Sequence, residues 1–132
     1  MKQLDEKVKK VFEGQTLWFF GTCGTEPDVS VIGFKEIRDD GTIVLCDVMM
    51  KRALENIAKN GRASVLAVDQ DSMAAYQISG SAVYQTSGPV FEEWKANADA
   101  MTGGRMPAKG VVILTPESVR DKSADAHNGE KL

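Results

Sequence analysis

Six stretches rich in β-branched and aromatic residues, most of them joined by short turns, restrict this chain to a mainly β fold. They are TLWFFGT (16–22), DVSVIGFKEI (28–37), TIVLCD (42–47), ASVLAVD (63–69), AAYQISGSAVYQT (74–86) and KGVVILT (109–115). A parallel, doubly wound sheet would need a long crossover, usually a helix, after each strand. Only two helical insertions interrupt this series, so a six-stranded, Greek-key-like β-barrel is expected.

Within the strands, TIVLCD is almost continuously apolar, which predicts cover on both faces. DVSVIGFKEI alternates Val29, Val31 and Gly33 with Ser30, Ile32 and Phe34, so one face packs and the other is presented outward. DDGT (39–42) reads as a hairpin turn, and Gly80 marks a bulge or a close backbone approach.

Two or three short peripheral helices complete the outline. Leu4, Val8, Val11 and Phe12 form one helical stripe that stops at Gly14. KRALENIAKN sets Leu54, Ile57 and Ala58 on one face before Gly61, and GPVFEEWKANAD carries Pro89 in its first turn.

With 132 residues, 42% of them hydrophobic, the chain suits one core and one domain. A net charge of −3 gives no general attraction to nucleic acid or an acidic membrane, so neither partner is expected and any anion site must be local. The absence of a long apolar run and the charged start MKQLDEKVKK predict a cytoplasmic protein. Cys23 and Cys46 have neither CxxC spacing nor a nearby histidine, so both are expected to be buried thiols rather than metal ligands.

The stretch DVMMKRALENIAKN (47–60) poses an electrostatic problem. Lys51 and Arg52 open a helix at the end where the backbone dipole is already positive. A strand ending at Cys46-Asp47, followed by a helix starting near Met50, gathers free N–H groups that bind anions. An arginine fork beside them suits a phosphate monoester. The alternative is that both cations are solvated or paired with Glu55 one turn on. Gly33 in mid-strand allows a flat ligand against the backbone or a bulge, and Gln77 among apolar neighbours either finds buried partners or faces solvent.

Taken in order, SVIGFK, LCDVMMKRALENI, YQISGSA, SGPVFEEW and AKGVVIL resemble the FMN-binding split-barrel superfamily, in particular short bacterial and archaeal proteins like pyridoxamine 5′-phosphate oxidase. The resemblance implies a split barrel over residues 1–120, a polar tail over 121–132 for which the partner subunit is one packing surface, and a homodimer with cofactor sites at the subunit interface. It implies backbone contacts to the flavin along Ser30, Val31, Ile32, Gly33 and Lys35, a ribityl chain over Cys46, and phosphate at the turn from Asp47 through Met50 to Lys51 and Arg52. Gln77 would reach the flavin across the interface.

Three features depart from the pattern. Lys51-Arg52-Ala53 stands where related short proteins have Asn-Lys-Thr, so a hydroxyl that would bond phosphate is absent and an extra cation is present. The arginine signatures that hold pyridoxamine phosphate have no counterpart, so vitamin B6 oxidation is not expected. His127 takes a tail position occupied by asparagine in relatives, as a solvated residue or as a proton donor.

The expected function is a flavin-dependent oxidoreductase using FMN with a nicotinamide or other small-molecule electron donor. The alternative is a non-catalytic FMN-binding electron carrier, or a barrel that binds haem or a deazaflavin instead. No catalytic side chain is assigned. Trp18, Phe19, Phe20, Phe91 and Trp94 are assigned to core or dimer contacts.

Overall fold

The computed structural model describes residues 1–132. Its strands are β1 (Trp18–Thr22), β2 (Asp28–Ile32), β3 (Lys35–Ile37), β4 (Ile43–Asp47), β5 (Arg62–Val68), β6 (Ala75–Gln85) and β7 (Gly110–Asp121). The helices are α1 (Glu6–Glu13), α2 (Arg52–Asn60) and α3 (Pro89–Thr102). The fold is therefore mainly β with three helices, but it has seven strands where the sequence predicted six.

The extra strand comes from the segment 28–37, which breaks at Gly33-Phe34. All seven strands form one antiparallel sheet in the order β2-β1-β5-β6-β7-β4-β3. β2 and β3 thus occupy opposite edges, although Ile32 and Lys35 are only three residues apart. A chain spans at most about 3.3–3.6 Å per residue, so the sheet must roll until its edges approach, giving a half-barrel split between β2 and β3.

Val8 and Phe12 of α1 join Trp18, Phe20, Leu45 and Ile78 inside this barrel. The Phe12 and Trp18 rings meet edge to face at 5.0 Å, and the Trp18 indole donates to the Phe12 carbonyl at 2.7 Å. α3 packs outside, where Phe91, Trp94 and Ala98 cover Val44, Cys46 and Val111. β4 is buried along its whole length for this reason, since alternate residues face the barrel and α3.

A register shift at Ser79/Gly80 places a bulge in the β6–β7 ladder. A Cβ on Gly80 would come 1.9 Å from the Thr115 carbonyl oxygen, so both expectations for this glycine hold. β7 continues through Pro116 to Asp121, beyond the strand predicted at 109–115, because β6 is long enough to pair with it throughout. The remaining residues fold back, with Leu132 N–H donating to the Val119 carbonyl and its side chain packing on the core. No helix is long and apolar enough to cross a membrane.

Candidate functional site

Asp47, the last residue of β4, is 1% exposed. Its carboxylate accepts from the Met50 N–H at 2.7 Å and from the Tyr84 hydroxyl at 2.6 Å. Its carbonyl accepts from Lys109 N–H at 2.8 Å. The turn into α2 is therefore fixed by β6 and by the residue that precedes β7 as well as by its own backbone. Tyr84 can reach it because Gly110 lacks a side chain; a Cβ there would stand 2.4 Å from the Tyr84 ring. Burial, followed by the bond to Asp47, holds the Tyr84 phenol well above the usual tyrosine value.

Beside this turn, Ser30, Val31, Ile32, Gly33, Cys46, Met50, Lys51 and Arg52 come together in one cleft of about 480 Å³. This volume lies within the roughly 300–1,000 Å³ usual for small-molecule sites. Phe34, Val48, Met49 and Met106 add an apolar wall. β2 is an edge strand, so its outer row of backbone N–H and C=O groups has no strand partner. A Cβ on Gly33 would meet only Leu17 Cδ2, at 3.7 Å, so the corner itself does not demand glycine and the backbone is bare for approach from the cleft.

Three of the sequence-predicted site residues lie outside the cleft lining. Lys35 directs its ammonium to the Gln15 carbonyl at 3.1 Å and over the Trp18 ring. Asp47 is buried beneath the turn that it holds. Gln77 is half-buried in a separate hollow, where its amide donates to Ser64 Oγ at 3.3 Å and Ser79 Oγ at 3.1 Å.

Arg52 pairs with Glu26 of the β1–β2 loop rather than with Glu55, which corrects the pairing considered from spacing. The same face of α2 holds that loop at three further points. Buried Asn56 donates to Thr22 Oγ1 and to the Glu26 carbonyl, each at 3.0 Å. Lys59 donates to Thr25 Oγ1, and Asn60 donates to the Cys23 carbonyl at 2.6 Å. Gly24 makes room, since a Cβ would stand 2.3 Å from Asn56 Oδ1. Cys23 is exposed on this loop, contrary to expectation, because its chain has left the sheet, whereas Cys46 is buried. Burial, then the Asp47 charge, pushes the Cys46 thiol up to about 11, so it faces the cleft as a neutral group at physiological pH.

Sequence reasoning missed Asn56, Tyr84 and Met106. Asn56 shares the buried stripe of α2 with Ala53 and Ile57, a polar residue at apolar spacing that does signal a specific partner. Tyr84 and Met106 reach the site from distant segments and carry no local signal. The arrangement can hold a flat apolar group against an unpaired strand edge, with an anion at the cationic end.

A protein-family model described as pyridoxamine 5′-phosphate oxidase matches residues 4–123. Among solved structures, HupZ of Group A Streptococcus has a TM-score of 0.80 at 25% identity, with 96% of this chain and 100% of that chain covered. An FMN-binding protein from Syntrophomonas wolfei gives a TM-score of 0.76 at 17% identity, covering 91% of this chain and 86% of that one. A haem-binding protein from Mycobacterium smegmatis gives 0.69 at 18% identity, covering 100% of this chain and 59% of that one. No curated protein matches. The last two structures are similar in fold alone, whereas the family model spans nearly all of the sequence: the chain belongs to the pyridoxamine 5′-phosphate oxidase family.

Proposed function

We propose that the cleft binds FMN and that the protein is a flavin-dependent oxidoreductase of a small substrate other than a B6 vitamer. The observation that carries this reading is the meeting of β2's unpaired edge, an apolar wall and the Lys51–Arg52 pair in one cleft. FMN, when bound, supplies hydride or single-electron chemistry. The chain's part is to bind and orient. The β2 backbone offers donors and acceptors to a polar ring edge, and Lys51 and Arg52 answer the phosphate charge. Phe34, Val48 and Met106 keep water from the apolar side. The lining contains no histidine, Cys46 holds its proton, and Asp28 is its one carboxylate; no side chain of the cleft is assigned to acid–base work. His127 lies on the tail beside Glu130, with 3.1 Å between ring nitrogen and carboxylate oxygen, which supports its solvated reading.

The active unit in this proposal is a homodimer with cofactor sites at the subunit interface. β1, β2, β5 and β6 align Val31, Phe19, Leu66 and Gln77 in one cross-strand row. Val31 and Phe19 are exposed, and Val31 also lines the cleft, so a second copy docked on this row would border the cofactor as well.

Haem is the second reading. Its support is the Mycobacterium smegmatis neighbour together with Met49, Met50 and Met106, whose thioethers suit haem iron. The visible spectrum of the purified protein separates the two, by flavin bands or a Soret band. A colourless preparation that leaves added FMN fluorescence unchanged overturns the FMN reading. Saturable, protein-dependent oxidation of reduced nicotinamide supports an enzyme, whereas reversible reduction without turnover supports an electron carrier.

A further inference from the structure

We propose that Glu26 is a specificity-determining residue: its carboxylate competes with a ligand's phosphate for the Arg52 guanidinium, and so lowers the preference of the cleft for phosphorylated flavins over neutral ones. The inference rests on the FMN reading above and concerns the same site. Arg52 lines the cleft and also holds Glu26, so one guanidinium serves both an internal carboxylate and an incoming anion. Both side chains are open to solvent, at 48% for Arg52 and 68% for Glu26, so the exchange buries no unpaired charge.

The loop does not depend on that carboxylate for its position. Asn56 holds the Glu26 backbone carbonyl, and Lys59 and Asn60 hold Thr25 and Cys23. Glu26 can therefore release Arg52 while its backbone stays in place. A phosphate monoester carries close to two negative charges and three acceptor oxygens, against one charge on a carboxylate. It wins the exchange, and a ligand with a neutral hydroxyl in its place does not. Other charged groups nearby are Lys51, Lys59 bonded to Thr25, Asp28 at the start of β2 and Glu55 one turn along α2. Neither acid is paired with Arg52, so Glu26 is the competitor to remove.

The test measures dissociation constants for FMN and riboflavin by fluorescence quenching. It uses the wild type, Glu26→Gln, Arg52→Gln and the double variant, with thermal melts to confirm folding. Glu26→Gln is expected to tighten FMN about three- to five-fold, the scale of one exposed ion pair, and to leave riboflavin unchanged. The gain should vanish in the Arg52→Gln background, because the effect passes through that side chain. Unchanged or weaker FMN binding in Glu26→Gln overturns the inference. So does an equal gain for riboflavin, or a gain that survives loss of Arg52. A wild type that binds neither flavin overturns the FMN reading and this inference with it; a wild type that binds FMN leaves that reading intact whichever way the variants behave.

Discussion

The Lys35 ammonium lies 4.9 Å from the centroid of the Trp18 ring, and it spans the split in the barrel. Lys35 opens β3 at one edge of the sheet, whereas Trp18 opens β1, next to the opposite edge. The bond to the Gln15 carbonyl adds a second tie between the same two regions. Burial holds the ammonium below the ordinary lysine value of 10.5. As pH rises, the folded chain releases this proton before the unfolded chain does, so stability climbs with pH in the window just below 10.5. Lys35→Met should lower stability at pH 7 by about 1 kcal/mol, remove that climb and leave FMN affinity unchanged. Urea unfolding at pH 7 and near pH 10 checks it; parallel pH profiles for the two proteins would refute the linkage.

Tyr84→Phe tests the support beneath the turn. It removes a hydroxyl bonded at 2.6 Å to a carboxylate that has almost no solvent. The expected cost is about 1.5–3 kcal/mol, the scale of a hydrogen bond to a charged group. FMN affinity should fall as well, because Asp47 fixes Met50 one residue before Lys51. In a spectrophotometric titration, one of the two tyrosines of the wild type should ionise only well above pH 10, and that component should be missing from the variant. Undiminished stability would mean that Asp47 is satisfied without Tyr84.

What the sequence disclosed depended on the range of the interaction. Helical stripes and stop glycines are local, so α1 and α2 were legible, and Gly61 does adopt a left-handed φ of +63°. β4 was legible as a doubly covered strand because continuous burial leaves a composition signal. The split of 28–37 was not: both halves are good strand sequence, and only the closure of the sheet decides that they belong to opposite edges. At the site, the basic pair where a strand hands over to a helix could be read from the sequence, yet the edge position of β2 and the partner of Arg52 could not. Glu55 is near in sequence, whereas Glu26 is distant in sequence and is brought near by a loop that Asn56, one turn along the same helix, anchors.

The two cysteines should differ sharply toward a thiol reagent. Cys23 is exposed on its loop, while Cys46 is buried and its thiol is pushed up to about 11. At pH 8, one thiol per chain should react quickly with a disulfide reagent, and the second only when the protein unfolds. Cys23→Ser should abolish the fast phase and spare flavin binding. Two fast thiols would show that the cleft floor is far more open than its burial implies.

The outer face of the sheet makes the strongest demand on the homodimer proposal. Val29 is 72% exposed, Val31 56% and Phe19 39%, and Phe19 faces Val31 directly across the β1–β2 ladder. Solvent contact of this much neighbouring apolar surface is unfavourable by roughly 25 cal/mol per Å², and burial against a second copy relieves it. Val29→Glu would place a charge on each copy at such an interface while leaving the barrel core untouched. The variant should remain folded, sediment as a monomer where the wild type sediments as a dimer, and bind FMN at least ten-fold more weakly if the second copy completes the cleft. A dimeric variant would move the interface elsewhere. A monomeric variant with undiminished FMN affinity would show that one chain suffices for the cofactor and that Gln77, in its separate hollow beside Ser64 and Ser79, has no part in holding it.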